Sequence, residues 1–238
     1  MGLCGQKTRK KERIEGDDEP GEYWRCTLIE ANTRLRVGRG VAQTETKAAI
    51  ILWQQVKKRK AHQTSPPPVL SDGWGGHREA LVQVYGKVPA YKGRGRPPTR
   101  KQPGKDWHYT QMVKQRDERG RLLGVDIRVI YGDETTLERT GERTVRVERT
   151  NLTSRHMNGR LVRKTLGFSK RVEMLKAACI WEDVVYNLAR SVKTLRIELN
   201  KGMQRWLQQS PAMAATITDH IWSIKEVLTC VPTPTNSF

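Results

Sequence analysis

The sequence predicts a mixed α/β protein with one main compact domain and a helical C-terminal part. Three observations support this prediction. β-like runs with alternating apolar residues come first, an amphipathic helix and a short apolar strand follow, and helical periodicity dominates after Ser169. With 238 residues, 36% of them hydrophobic, the chain is long enough to bury a core. No internal repeat is visible, which excludes a solenoid.

The first elements are a hairpin, a helix and a short strand. Residues 23–30 and 35–41 are β-like runs on either side of a turn-prone segment, which predicts a hairpin. Residues 44–59 carry apolar side chains at helical spacing, which predicts an amphipathic helix. The short apolar run 69–70 predicts a buried strand that delivers Asp72 to its C-terminal end, and ligand sites of α/β sheets favour that edge.

The second half of the chain begins with a basic, Gly- and Pro-rich stretch. Residues 87–105 contain seven Lys or Arg side chains, which predicts a mobile basic loop. Residues 107–113 and 122–131 predict a second hairpin. A later helix is predicted to begin at the cap Ser169 and to bury an apolar stripe. The members of this stripe are Met174, Ala177, Ala178, Trp181, Val185 and Leu188.

These elements divide the chain into three parts. Residues 1–21 are predicted to form a polar N-terminal segment, and residues 22–190 the core. The core includes the basic loop 87–105 and a hairpin insertion at 107–131. Residues 191–238 are predicted to form a C-terminal helical segment and a tail.

Charge identifies the leading class of partner. Lys and Arg outnumber Asp and Glu by 44 to 25, which gives a formal charge of +19. Such a surface attracts polyanions, and nucleic acid is therefore the expected partner. The four cysteines are scattered, without zinc spacing, and are expected to be reduced thiols in the cytoplasm. No apolar stretch reaches the ~18 residues of a membrane span, so no membrane association is expected.

Two carboxylates stand out because of the runs around them. Asp72 lies in Ser-Asp-Gly-Trp at 71–74, where an isolated Asp before Gly is commonly a turn residue. Glu148 lies in Val-Glu-Arg-Thr-Asn-Leu-Thr at 147–153, where its ordinary role is charge balance on a solvated helix rich in arginine. A third run, Arg-Lys-Thr-Leu-Gly-Phe-Ser-Lys, follows at 163–170.

Together these runs resemble the insertion-sequence-one type of bacterial DDE transposase. In that family the corresponding stretches read roughly T-D-G-W and E-R-x-N-L-T, then R-K-T-x-x-F-S-K-S. Residues 211–220 also resemble a segment near the C-termini of related transposases. The resemblance covers most of residues 23–222.

The resemblance implies a ribonuclease H-like core in which three acidic residues hold two Mg²⁺ or Mn²⁺ ions. Two such ions serve in-line displacement at phosphorus, here DNA cleavage and strand transfer. Asp72 matches the family's second acidic residue and Glu148 its third, 76 positions later. The implied partners are transposon ends and target DNA, in a homo-oligomer or with full-length transposase subunits. The implied location is the bacterial cytoplasm, in association with the nucleoid.

The family's first acidic residue has no match in the sequence. Residues 3–7 resemble the end of the opening strand, so the matching Asp is expected to precede Met1, together with the family's zinc-binding and helix-turn-helix region. Asp17 and Asp18 fall in a turn and do not take over this role. With two of three carboxylates, weak or no strand transfer is expected from this chain alone.

Several basic and polar residues are predicted to contact DNA, with ordinary surface charge as the alternative for each. The first group follows Glu148 and comprises Arg149, Asn151, Arg155 and Lys164. The second group lies in the basic loop and comprises Lys92, Arg94 and Arg96.

Three functions compete at this point. The first is a transposase catalytic domain, and the second is an inactive DNA-binding remnant that occupies transposon ends or inhibits the full-length enzyme. The third is a basic RNA-associated protein in which the carboxylates are incidental. Salt-dependent binding to DNA is expected for both of the first two and does not separate them.

Overall fold

The computed structural model describes residues 2–8, 23–59, 63–93, 95–141, 145–162, 166–201 and 204–230. A mixed sheet of six strands forms its centre, in the spatial order β3-β2-β1-β4-β5-β6. β4 is parallel to both β1 and β5, and the other neighbours are antiparallel. The strands are β1 (Gly2–Thr8), β2 (Tyr23–Ile29), β3 (Arg36–Ala42), β4 (Val69–Asp72), β5 (Tyr109–Arg116) and β6 (Leu122–Tyr131).

Helices cover the sheet, so the predicted mixed α/β class is confirmed. None of the described helices combines the length and the apolar character needed to cross a bilayer. The α-helices are α1 (Glu45–Lys57), α2 (Gly76–Tyr85), α3 (Thr136–Thr140), α4 (Val145–Met157), α5 (Val172–Val184), α6 (Pro211–Ala214) and α7 (Ile224–Thr229). A separate hairpin consists of β7 (Ile197–Lys201) and β8 (Gln204–Leu207).

Helix α1, which the sequence predicted as an amphipathic helix over residues 44–59, packs closely against β3. The Thr44 side chain caps the helix by accepting a hydrogen bond from the Lys47 backbone N–H at 3.2 Å. A Cβ at Gly40 of β3 would lie 1.8 Å from the Ala48 carbonyl oxygen, so only glycine allows this approach. The main core lies between the sheet and helices α1 and α2, and its largest fully buried side chains include Trp53 and Tyr109.

The opposite face of the sheet carries a buried ion-pair cluster that attaches α5. Arg25 Nη1 lies 2.7 Å from Glu182 Oε2, and Arg25 Nη2 lies 2.6 Å from Asp183 Oδ1. Arg36 Nη1 reaches the same two carboxylates at 2.5 and 3.0 Å. Arg39 Nη1 adds a contact of 3.2 Å to Asp183 Oδ2. The Arg25, Arg36, Glu182 and Asp183 side chains are at most 6% exposed, so each charge depends on its partners.

Arg36 connects this cluster to neighbouring elements. Its Nη2 donates to Ser154 Oγ of α4 at 3.0 Å, and its guanidinium carbon lies 4.0 Å from the centre of the Tyr186 ring. The backbone N–H of Arg36 donates to the Asn187 side chain, which donates in return to the Arg36 carbonyl, both at 3.0 Å. Helices α4 and α5 are therefore fixed to the sheet through one guanidinium and its strand.

The predicted buried stripe of the later helix is wrong. Met174 and Trp181 are 50% and 42% exposed, while Leu175, Cys179, Glu182 and Asp183 form the buried face of α5. The N-cap is Arg171, not Ser169. The physical reason is that two acidic residues of α5 form buried ion pairs with arginines, so the buried face of the helix includes charged residues. A prediction from the spacing of apolar residues does not include them.

Two further predictions are corrected by the strand pairing. Residues predicted as a hairpin insertion form β5 and β6, and β5 pairs with β4 inside the main sheet. The C-terminal part, predicted to be helical, begins with the β7–β8 hairpin and has only the short helices α6 and α7. In this hairpin Ile197 pairs with Leu207. The two strands are too short to show a clear alternation of apolar and polar residues, so the sequence did not predict them.

Candidate active site

Strands β3 and β4 end at the same edge of the sheet. β3 runs antiparallel to β2, β2 runs antiparallel to β1, and β1 runs parallel to β4, so β3 and β4 have the same direction. Glu45 begins α1 just after β3 ends at Ala42, and Asp72 is the last residue of β4. The two carboxylates therefore lie at the carboxyl edge, where α/β sheets form ligand sites.

A hydrogen-bonded set of side chains holds the strand end that carries Asp72. The Ser71 and Tyr109 hydroxyls are hydrogen-bonded at 2.8 Å, and both residues are buried. Gln111 Nε2 donates to the Tyr109 hydroxyl at 2.8 Å and to the Trp74 carbonyl at 3.2 Å. Burial raises the pKa of Tyr109 to about 12, although the hydrogen bonds with Ser71 and Gln111 act in the opposite direction. The phenol therefore stays protonated. This set fixes the chain on both sides of Asp72.

In the turn after Asp72, the Trp74 ring packs over a glycine. The Trp74 backbone N–H donates to Asp72 Oδ1 at 3.4 Å. A Cβ at Gly76 would lie 2.1 Å from the Trp74 ring, so the indole requires glycine beneath it. The same indole meets the His77 ring edge-on, with 4.8 Å between ring centres. The Asp-Gly-Trp run thus forms a tight, packed turn that limits the positions open to the Asp72 carboxylate.

Glu148 reaches the same region from helix α4. Its Oε1 forms an ion pair with Lys114 Nζ of β5, and the two side chains are 49% and 36% exposed. β5 is the strand next to β4, and Met112 of β5 is the partner of Asp72 in the parallel ladder. Lys114 lies two residues further along the same face, which brings its ammonium group and Glu148 close to Asp72.

Electrostatic effects link the three carboxylates. Burial raises the pKa of Asp72, the negative charge of Glu148 raises it further, and the Trp74 N–H and Lys114 oppose the shift. Burial and the charge of Asp72 raise the pKa of Glu45 to about 6. The two shifts indicate that Asp72 lies within electrostatic range of both Glu45 and Glu148, and that extra positive charge here would be stabilising.

The oxygen donors of this region suit a hard divalent cation. Mg²⁺ and Mn²⁺ prefer carboxylate oxygens, and Asp72 and Glu148 supply them from a strand end and a helix. In the part of the chain that the structure describes, no set of three His, Cys, Asp or Glu side chains is close enough to hold an ion. Among the described residues, the candidate ligands are therefore two carboxylates, those of Asp72 and Glu148.

The predicted DNA contacts have different surroundings. Arg149 is exposed on α4, and Arg155 is half-buried two turns after Glu148. Asn151 is 6% exposed, so its side chain is not available to a phosphate at the surface. This corrects the prediction, because a position close to Glu148 on a helix can also face the sheet. Lys164 lies outside the described residues.

The basic loop has a closed base and an exposed outer part. Lys87 and Gln102 pair as an isolated antiparallel bridge, and Lys101 Nζ donates to the Gln83 carbonyl of α2 at 2.5 Å. Lys92 and Arg96 are exposed beyond this base, and Arg94 lies outside the described residues. The two described cations are available to a polyanion.

Two residues at this edge were not predicted from the sequence to belong to the site. Glu45 looks like an ordinary acidic residue in the first turn of a helix, where the helix dipole favours it. Lys114 lies in a strand next to another basic residue, Arg116, without a distinctive motif. Only the strand directions bring Glu45 to Asp72, and only the β4–β5 pairing brings Lys114 there.

No protein family model matches the chain, and neither a curated protein nor a solved structure shows significant similarity to it.

Proposed function

We propose that this chain is the catalytic domain of a DDE transposase of the insertion-sequence-one type, which cleaves and joins DNA with divalent metal ions. The observation that carries the proposal is that Glu148 forms an ion pair with Lys114, two residues after the ladder partner of Asp72, which brings Glu148 within electrostatic range of Asp72. Asp72 and Glu148 are 76 positions apart in the sequence, and the negative charge of Glu148 acts on Asp72. The motifs were selected by resemblance alone, so this proximity is independent support.

The architecture supports a ribonuclease H-like core. Three antiparallel strands lead into α1, a short buried strand then delivers Asp72 beside β1, and a later helix supplies Glu148. An order of this kind brings acidic residues from distant parts of a chain to one edge of a sheet. Carboxylates on a rigid strand and a packed helix are well held for a reaction that depends on position.

The chain's own residues have separable roles in this proposal. Asp72 and Glu148 would hold the metal, and bound ions would activate the attacking water or 3′-hydroxyl and stabilise the leaving oxygen. Lys114 pairs with the carboxylate of Glu148, and a divalent ion held there would replace the ammonium group as the partner of that carboxylate. Exposed Arg149 and half-buried Arg155 follow Glu148 on α4 and would hold DNA phosphates near the carboxylates.

The test is strand transfer by the purified chain, with labelled DNA that flanks its coding sequence as the end substrate and Mg²⁺ or Mn²⁺ as the ion. Because the family's first acidic residue has no match in the sequence, little or no product is expected from the chain alone. Any product that forms should disappear in Asp72→Asn and Glu148→Gln while DNA binding persists. Asp106→Asn and Glu173→Gln make the same chemical changes at other exposed positions and should leave product formation and DNA binding unchanged.

Mn²⁺ binding, measured by electron paramagnetic resonance, tests the same residues without turnover. Weaker binding in the Asp72 and Glu148 variants, but not in the controls, is expected. Product formation that survives both substitutions, or unchanged Mn²⁺ binding, would contradict the proposed site.

A second candidate is a DNA-binding transposase remnant without catalysis. The observation in its favour is the ion pair of Glu148 with Lys114, since a carboxylate with a structural partner needs no metal. Under this alternative, Glu148→Gln would leave Mn²⁺ binding unchanged and would lower the stability of the α4 contact with the sheet. DNA affinity would still fall steeply with salt.

A further inference from the structure

Strand β6 is a long outer strand with apolar residues on its surface. It ends the order of the six-stranded sheet, and among the described residues its only strand neighbour is β5. The unpaired N–H and C=O groups of such an edge can accept another strand. Proteins commonly protect an edge of this kind with short length, proline or inward-facing charge, and β6 extends over Leu122–Tyr131 without proline.

One face of β6 carries an exposed apolar stripe. Leu123, Val125, Ile127 and Val129 alternate along the strand and are 70%, 44%, 37% and 45% exposed. Val125, Ile127 and Val129 lie on the same face because side chains alternate with a period of two residues, and Leu123 lies at the register shift opposite Gln115 and Arg116. A stripe of exposed β-branched and leucine side chains beside a free edge is a surface that pairing would cover.

The other face of β6 carries two charges of opposite sign. Asp126 and Arg128 lie on either side of Ile127, with 3.6 Å between Arg128 Nη2 and Asp126 Oδ2, and both side chains are largely exposed. In an antiparallel pair of identical strands, residue and partner are placed symmetrically about a two-fold axis. An axis at Ile127 puts Asp126 of one copy opposite Arg128 of the other, twice.

The charges discriminate between registers. An axis at Asp126 or at Arg128 would put like charges opposite each other, which is destabilising. An axis at Val125 or Val129 would put each charge opposite an apolar residue or glycine. Among these registers, the axis at Ile127 alone pairs both charges with opposite charges, and it also pairs Val125 with Val129 of the second copy.

We propose that β6 is a dimer interface, in which two copies of the chain pair antiparallel through their β6 strands with the two-fold axis at Ile127. The partner is a second copy because the strand is complementary to itself in both charge and apolar pattern. The two sheets join into one continuous sheet with an isologous contact.

This dimer would relate the two carboxylate regions in a simple way. Asp72 pairs with Met112, and Met112 pairs with Ile127, so Asp72 lies level with the axis. Five strand spacings separate the two copies of Asp72, which is about 24 Å. Both would lie on the same side of the joined sheet, an arrangement suited to two DNA ends; this last point rests on the proposed function, whereas the dimer does not.

The experiment is sedimentation equilibrium of the full chain, freed of nucleic acid, over a wide concentration range. The wild type is expected to dimerise. Asp126→Arg and Arg128→Asp each put like charges opposite in both symmetric pairs and should raise the dimer Kd about tenfold. The double variant D126R/R128D restores opposite charges and should recover the dimer. Matched controls with the same changes in net charge are Glu173→Arg and Lys176→Asp on exposed positions of α5.

Mixing the two single variants gives the sharpest result. Asp126→Arg carries two positive charges on β6 and Arg128→Asp carries two negative ones, so the mixed dimer is expected to be tighter than either single-variant dimer. A chain that is monomeric throughout overturns the proposal, including the case in which another segment or another protein covers β6. A dimer that is unaffected by both single variants also overturns it, because association then uses another surface.

Discussion

His77 should make the protein lose stability in mild acid. The side chain is fully buried in α2, and neither ring nitrogen has a hydrogen-bond partner among the described residues. Burial lowers the pKa of His77 to about 3 from the ordinary value of 6.5. The unfolded chain therefore binds a proton below pH 6.5 that the folded chain does not, and stability falls as pH falls from 6.5 toward 3.

The size of the effect follows from the two pKa values. Each pKa unit corresponds to about 1.4 kcal/mol, and at pH 5.0 an unfolded imidazole is protonated while the buried one is still neutral. Between pH 7.5 and pH 5.0 this difference removes roughly 2 kcal/mol of the free energy of unfolding. In His77→Phe an aromatic ring still packs against Trp74, but the titrating group is lost. The part of the pH dependence that comes from His77 should therefore disappear.

The assay is urea unfolding followed by tryptophan fluorescence at both pH values, for the wild type and for His77→Phe. His156→Phe serves as the control, because the His156 ring is exposed on α4 and meets water in both states. If His77→Phe lost as much stability as the wild type between the two pH values, the folded protein would be binding a proton at His77. The account of a neutral, unpartnered imidazole would then be wrong.

Two further predictions concern charges elsewhere. Asp183→Asn removes a buried carboxylate from three arginines and should lower the free energy of unfolding by about 3–5 kcal/mol, measured by urea unfolding, while exposed Asp106→Asn changes it little. A loss no larger than that of the Asp106 control would mean that the ion pairs of Asp183 are dispensable. Asp72→Asn should lower the pKa of Glu45 from about 6, because the charge of Asp72 is one cause of its elevation. Carboxyl-carbon NMR titration would measure this, and an unchanged pKa would place Asp72 outside electrostatic range of Glu45.

Much of the first half of the fold could be predicted from the sequence because its signals are local. The β2–β3 hairpin has alternating apolar residues on both sides of a turn, and α1 has its cap at Thr44 and a regular apolar face. The short run before Asp72 predicted β4 correctly, and the same run placed that carboxylate at a strand end. These patterns report on neighbouring residues, which is the range that periodicity covers.

The remaining features depend on contacts between distant residues. Glu182 and Asp183 look like surface residues in the sequence, and only Arg25 and Arg36, about 150 positions earlier, make their burial favourable. Glu45 is recognisable as part of the candidate site only when the direction of β3 is known. Asn151 was placed toward solvent because periodicity does not identify which side of α4 meets the sheet. Non-local partners decide each of these cases.

The buried ion-pair cluster also limits how the sequence can diverge. The buried guanidiniums of Arg25 and Arg36 face two buried carboxylates, and Arg39 adds a partly exposed third guanidinium, so the loss of either carboxylate leaves buried positive charge without compensation. Lysine is a poor substitute at Arg25, since one ammonium group cannot reach Glu182 and Asp183 with separate nitrogen atoms. It is also a poor substitute at Arg36, where a second guanidinium nitrogen donates to Ser154. Distant relatives should therefore keep these positions as a set or exchange them together for apolar residues. Covariation among the five positions would identify such relatives after motif similarity has faded.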